Sequence, residues 1–145
     1  MAKVLVIYHS QGGATEKMAK AVAEGAKQND AQATLKKALE AGVEDLLGCD
    51  AIAVGSPDYF SYMAGGLKDF FDRTFYPTQG KVTDKPCGVF VTHGGGGKAV
   101  DSVLSICRSF KFKIVGEPAL VKGAPDAEAK AKLAELGKLL AEAAK

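Results

Sequence analysis

Lys3-Val4-Leu5-Val6-Ile7-Tyr8-His9-Ser10-Gln11-Gly12-Gly13-Ala14-Thr15 sets the architecture of this chain. Val4 to Tyr8 are apolar without interruption, so the strand they form is buried on both faces rather than on one. Strands of that kind belong to parallel sheets with helices above and below. The strand runs through small and hydroxyl residues straight into Met18, Val22 and Ala26, which share one face at helical spacing.

The same alternation continues down the chain. Ala51-Ile52-Ala53-Val54 and Cys87-Gly88-Val89-Phe90-Val91 read as further buried strands. Weaker ones fall at Gln32–Ala38 and across Lys113–Val121, where Gly116 and Pro118 interrupt. Helical stripes lie between them: a short one at Val43–Leu47, then Leu67, Phe70, Phe71 and Phe75, then Val100, Val103, Leu104 and Cys107. Ala129, Leu133, Leu136 and Leu140 make the last, which Pro125-Asp126 opens. The pattern predicts five parallel strands with helices on both faces, a doubly wound three-layer α/β/α sandwich over residues 1–145 as one domain.

Composition agrees with that class. The chain has 145 residues, 47% apolar and 25% charged, with a net charge of +2 and no Trp. A domain of this length buries enough surface to fold without disulfides or metal. The even charge argues against a nucleic-acid partner, which calls for a dense basic stripe. Cys49, Cys87 and Cys107 lack a Cys-x-x-Cys spacing and read as reduced, buried side chains. The apolar run at Val4–Tyr8 is too short for a signal core or a membrane span, so a soluble cytoplasmic protein is expected.

Ligands of open parallel sheets bind at the carboxyl ends of the strands, where the winding reverses. Three loops therefore carry the function. In the first, Ser10, Gln11, Gly12, Gly13, Ala14 and Thr15 aim backbone N–H groups and hydroxyls at one point, with the positive end of a helix behind them. That suits a phosphate held by neutral donors, and it also suits a plain capped turn. The second runs Gly55-Ser56-Pro57-Asp58-Tyr59-Phe60-Ser61-Tyr62-Met63-Ala64-Gly65-Gly66, too aromatic for a solvated connection and suited to flanking a flat ring. Tyr59 and Tyr62 read as ligand contacts there. Phe60 and Met63 serve equally well as staples to the next helix, and Asp58 either bonds a ligand hydroxyl or closes a turn. In the third, Thr92-His93-Gly94-Gly95-Gly96-Gly97-Lys98, four successive glycines cost conformational entropy that a backbone lying flat against a ligand explains.

Other chemistries on this topology are excluded. A Walker A loop needs Gly at Thr92 and Ser or Thr at Ala99. A receiver domain needs carboxylates where His9-Ser10 and Ser56-Pro57 stand, and a low-molecular-weight phosphatase needs a Cys-x5-Arg loop after the first strand. No His, Cys or carboxylate cluster has metal-ligand spacing.

Together the three loops resemble those of the flavodoxin-like FMN proteins. Ser10, Gly13 and Thr15 match the phosphate loop Ser/Thr-x-Thr-Gly-x-Thr, with Gly12 in place of the middle Thr. Gly55-Ser56-Pro57, Tyr59-Phe60, Met63 and Leu67-Lys68-Asp69-Phe70-Phe71-Asp72-Arg73-Thr74 resemble the NAD(P)H:quinone oxidoreductase and FMN-reductase branch. The resemblance implies strand order 2-1-3-4-5 and FMN as cofactor. It implies that Ser10–Thr15 cradle the phosphate, Pro57–Met63 (Pro57, Asp58, Tyr59, Phe60, Ser61, Tyr62, Met63) run along the ring, and Thr92–Gly97 line its other edge. His93 stands where it can supply a proton to a reduced quinone. The implied activity is NAD(P)H-dependent reduction of quinones or flavins, with assembly into a homo-oligomer open. The alternative is a short-chain flavodoxin that carries electrons to a redox protein partner. The pI of 8.4 and the absent Trp favour the enzyme, and the short chain favours the carrier.

Overall fold

The computed structural model describes residues 1–145. Strand β1 (Lys3–Tyr8) lies in the middle of one sheet, parallel to β2 (Gln32–Lys37) on one side and to β3 (Ala51–Tyr59) on the other. β3 pairs in turn with β5 (Pro86–His93), in register Ile52↔Cys87 to Pro57↔Thr92. The last position is filled by two short pieces. β6 (Lys113–Ile114) lies beside Pro86–Cys87 and β7 (Ala119–Lys122) beside Phe90–His93. The break falls at Gly116, with φ +69°, and Pro118, the two interruptions legible in the sequence. With the two pieces counted as one strand and the two-residue strand Tyr62–Met63 set aside, the order is the expected 2-1-3-4-5.

The third strand departs from expectation. Ala51–Val54 is only its first half: it continues to Tyr59 and turns back as β4 (Tyr62–Met63), with Asp58↔Met63 and Tyr59↔Tyr62 paired antiparallel. Gly55 and Pro57 read as strand breakers, yet both lie inside the strand. At Gly55 a side chain would occupy the space of the Phe90 ring on β5, so glycine is needed for packing, not for a turn.

Helices α1 (Ala14–Gln28) and α5 (Ala127–Ala143) cover one face of the sheet. The other face carries α2 (Val43–Gly48), α3 (Gly65–Thr78) and α4 (Ala99–Ser109). Each face has its own apolar core: Val4, Val6, Met18, Val22, Leu133 and Leu140 on the first, Leu5, Ile7, Leu67, Phe70, Phe71 and Val103 on the second. Alternate residues of β1 thus feed opposite cores, as an uninterrupted apolar strand requires. The three cysteines are free and buried, with the thiols of Cys87 and Cys107 in contact at 3.8 Å. No helix is long and apolar enough to cross a membrane.

Helix α5 starts where Asp126 accepts a hydrogen bond from Ala129 N at 2.8 Å, satisfying one of its free amides. Asp126→Ala is expected to cost about 1 kcal/mol, the usual loss for an N-cap. Thermal unfolding should show it as a fall in Tm of roughly 4 °C, and an unchanged Tm would mean the cap contributes nothing.

Candidate functional site

The carboxyl ends of β1, β3 and β5 bring the three loops together at one edge of the sheet. Side chains join them pairwise. The Thr15 and Thr92 hydroxyls lie 2.9 Å apart in the interior, linking the first loop to the third. The His9 ring meets Tyr59 edge-on, with centroids 6.2 Å apart, and its Nδ1 leaves no room for a side chain at Gly66. That links the first loop to the second. Asp58 and Ser102 link the second loop to the first turn of α4, which follows the third.

In the first loop, Ser10 Oγ accepts from Gly13 N at 3.1 Å, and Gly13 turns the chain into α1 with φ +95°, a left-handed conformation that glycine adopts at no steric cost. Ala14 begins the helix and no side chain caps it, so the amides of its first turn remain available. Gln11 and Gly12 are exposed. Glu16, in the first turn of α1, accepts a hydrogen bond from Tyr8 Oη at 2.9 Å. Burial, reinforced by this bond, pushes the Tyr8 phenol above its ordinary range. Thr15 sits apart from its neighbours: its side chain is buried against Thr92, which itself donates to Met18 Sδ at 3.0 Å.

The second loop is a tight hairpin. Phe60 and Ser61 occupy its turn with φ +58° and +64°. Asn and Gly are the residues usually found at such paired positions, and non-glycine residues there cost about 1–2 kcal/mol each. Phe60 is 102% exposed, so its ring staples nothing, whereas Met63 is buried in the core beneath α3 and α4. Pro57 and Tyr59 are half-buried, and Ser61 and Tyr62 face solvent. Both oxygens of Asp58 are engaged by backbone amides, Oδ1 by Ser61 N at 2.8 Å and Oδ2 by Ala99 N at 3.1 Å.

In the third loop Gly94, Gly95 and Gly96 are exposed and Gly97 is buried at φ +72°, against the His93 ring. His93 is half-buried, and its Nδ1 is the one buried side-chain polar atom of the molecule without a hydrogen-bond partner. Lys98 and Lys122 flank this loop, exposed and outside every ion pair, Lys122 lying opposite His93 in the β5–β7 register.

Two contributors escape sequence reasoning. Ser102 Oγ accepts from Met63 N at 3.0 Å, and Ser56 Oγ accepts from Ala64 N at 2.8 Å. Ser102 is separated by 39 residues from its partner, so no local pattern announces it. A groove of about 670 Å³ lies between β7 and α5, with Lys122 on its wall. None of the residues Ser10–Thr15, Pro57–Met63 or Thr92–Gly97 lines it, and their amides and aromatic side chains converge on the open edge instead.

Comparison with known proteins gives a consistent result. The model of the NADPH-dependent FMN reductase family matches residues 31–126. A flavodoxin of Aquifex aeolicus is 39% identical over 121 residues, which are 80% of this chain and 65% of that protein. An NAD(P)H dehydrogenase (quinone) of Caulobacter vibrioides is 36% identical over 141 aligned positions, covering 80% of this chain and 71% of the other. The chain therefore spans about two thirds of the length of these relatives. Among solved structures, an archaeal flavodoxin superposes with a TM-score of 0.90 at 22% identity, over 98% of both chains, which is a likeness of fold.

Proposed function

The chain belongs to the NADPH-dependent FMN reductase family, and we propose that it is an oxidoreductase taking reducing equivalents from NADPH or NADH and delivering them to a quinone or a free flavin. Its cofactor is FMN, which supplies the hydride and electron chemistry while the protein supplies binding, orientation and electrostatics. The site fits that group. An uncapped helix start behind Gly12 and Gly13 suits a phosphate dianion. The exposed amides of Gly94–Gly96 suit the carbonyl-rich edge of the flavin. Tyr59 and Tyr62 flank a flat ring, and the orphaned Nδ1 of His93 awaits a polar partner beside it.

One observation carries the enzyme reading. The rim of the glycine loop has two exposed cations outside every ion pair, Lys98 and Lys122. A rim of this charge attracts an anionic dinucleotide. Reduction of a quinone consumes two electrons and two protons, one proton more than a hydride brings. His93, at the ring edge, is the side chain placed to hold it.

The second reading, an electron carrier for a protein partner, is supported by the 39% identity to the Aquifex flavodoxin. An anaerobic experiment separates the two. The FMN-loaded protein, freed of excess flavin, is mixed with NADPH or NADH and the visible flavin band is followed. Rapid bleaching is expected. A band that persists on the protein in the presence of either nucleotide would overturn the oxidoreductase reading and direct attention to protein partners.

A further inference from the structure

Ala99, the first residue of α4, has both backbone groups claimed by side chains that also hold the aromatic hairpin. Asp58 Oδ2 accepts from Ala99 N at 3.1 Å while Oδ1 accepts from Ser61 N at 2.8 Å. Ser102 Oγ donates to Ala99 O at 2.6 Å and accepts from Met63 N at 3.0 Å. Beyond these, the hairpin is held by Ser56 Oγ, which accepts from Ala64 N at 2.8 Å, by the buried Met63 side chain and by the edge-on contact of Tyr59 with His9. It consists of two residue pairs, Asp58↔Met63 and Tyr59↔Tyr62, and so short a ladder is not stable in water unaided. Its turn holds Phe60 and Ser61 at positive φ, a conformation that persists only where the surroundings over-determine it. Helix α4 begins one residue, Lys98, after Gly94–Gly97, so whatever fixes its first turn restrains the end of the glycine loop.

We propose that Asp58 and Ser102 are positioning residues that lock the aromatic hairpin to the first turn of α4, so that the second and third loops form one body, set at a fixed separation before FMN binds. The inference rests on the reading of these loops as the two walls of the FMN site. A preformed gap spares the cofactor the entropic cost of ordering the hairpin. Without the lock, that ordering accompanies binding and weakens it. Asp58 thus acts through the backbone it holds rather than by touching the ligand, and its two acceptor oxygens are both needed.

The test uses the full chain, freed of flavin and titrated with FMN, with the association rate read in the same series. Ser102→Ala and Asp58→Ala are each expected to raise the Kd about tenfold, a change of about 1.4 kcal/mol, mainly by slowing association. The double variant should fall short of the product of the two, because both side chains hold the same hairpin. In the flavin-free protein, amide exchange at Tyr62 and Met63 should accelerate at least tenfold on either substitution. Ser102→Thr, which keeps the hydroxyl, should restore wild-type affinity and exchange, and Asp58→Asn, which keeps one acceptor, should fall between. Ser105→Ala, on the exposed side of α4, should change nothing. If the wild type binds FMN and the Ser102→Ala and Ser102→Thr proteins bind it equally well, with unchanged exchange at Met63, the lock is refuted and the cofactor site stands. If the wild type binds no FMN, the cofactor reading itself falls and the inference with it.

Discussion

Gly12→Asp is expected to weaken FMN binding about 100-fold, a loss of roughly 2.7 kcal/mol, without destabilising the protein. The residue lies at the tip of the first loop, exposed, and a side chain built there meets no atom within 4 Å. Its φ is not positive, unlike that of Gly13, so an L side chain is accommodated without strain. The substitution therefore tests electrostatics almost alone. It sets a carboxylate beside the free amides that begin α1, the place proposed for the FMN phosphate. Two like charges about 4 Å apart repel by roughly 4 kcal/mol at an effective dielectric of 20, and exposure reduces this. Gly12→Asn has the same shape without the charge and should stay within a few-fold of wild type. The measurement is a flavin-fluorescence titration at low and high salt, alongside a thermal melt. Equal affinities for the Asp and Asn variants would place the phosphate somewhere other than the α1 start.

Gly25→Ala is expected to destabilise the fold by about 2–3 kcal/mol, the upper range for overpacking. Helix propensity alone predicts the opposite sign, since alanine is favoured over glycine by about 1 kcal/mol inside a helix. Gly25 lies in α1 where it crosses α5, and a methyl group there would overlap the backbone carbonyl of Ala134. Gly137 on α5 stands in the reciprocal position, against the carbonyl of Val22. The two glycines bring the helix backbones into direct contact, and neither obstacle is a side chain that can swing away. The helices must separate, which opens the core of Met18, Val22, Leu133 and Leu140. Urea denaturation should show a lower midpoint at constant slope. A higher midpoint would mean that propensity prevails and the crossing is loose.

The molecule also shows where reading along the chain succeeds. Val4–Tyr8 reads as a strand buried on both faces because all its side chains are apolar, and alternate residues of it do enter opposite cores. Gly116 and Pro118 marked the break in the outermost strand for a local reason, a positive φ and a missing amide donor. The hairpin at Asp58–Met63 was not legible. Phe60-Ser61 carries none of the usual signals for such a turn, and Gly55 and Pro57 argue locally against the strand that leads to it. What overrides those preferences is distant in sequence: the Phe90 ring against Gly55, Ala99 N on Asp58, Ser102 on Met63.

The same division runs through the site. That the three loops meet at one edge, with glycines and aromatics together there, follows from strand order and residue type, because a doubly wound sheet exposes its strand ends at one edge. The task of each polar side chain did not. Asp58 and Thr15 bear groups that suit a ligand equally well, yet one caps a helix and braces a turn while the other pairs with Thr92 in the interior. A hydrogen bond depends on where a partner lies to within tenths of an ångström, and those partners come from other elements, 77 residues away for Thr15 and 41 for Asp58. Hydrophobic burial depends on pattern and tolerates such shifts. Local sequence therefore established the layers and the strand order, and long-range packing assigned the polar groups of the three loops their partners.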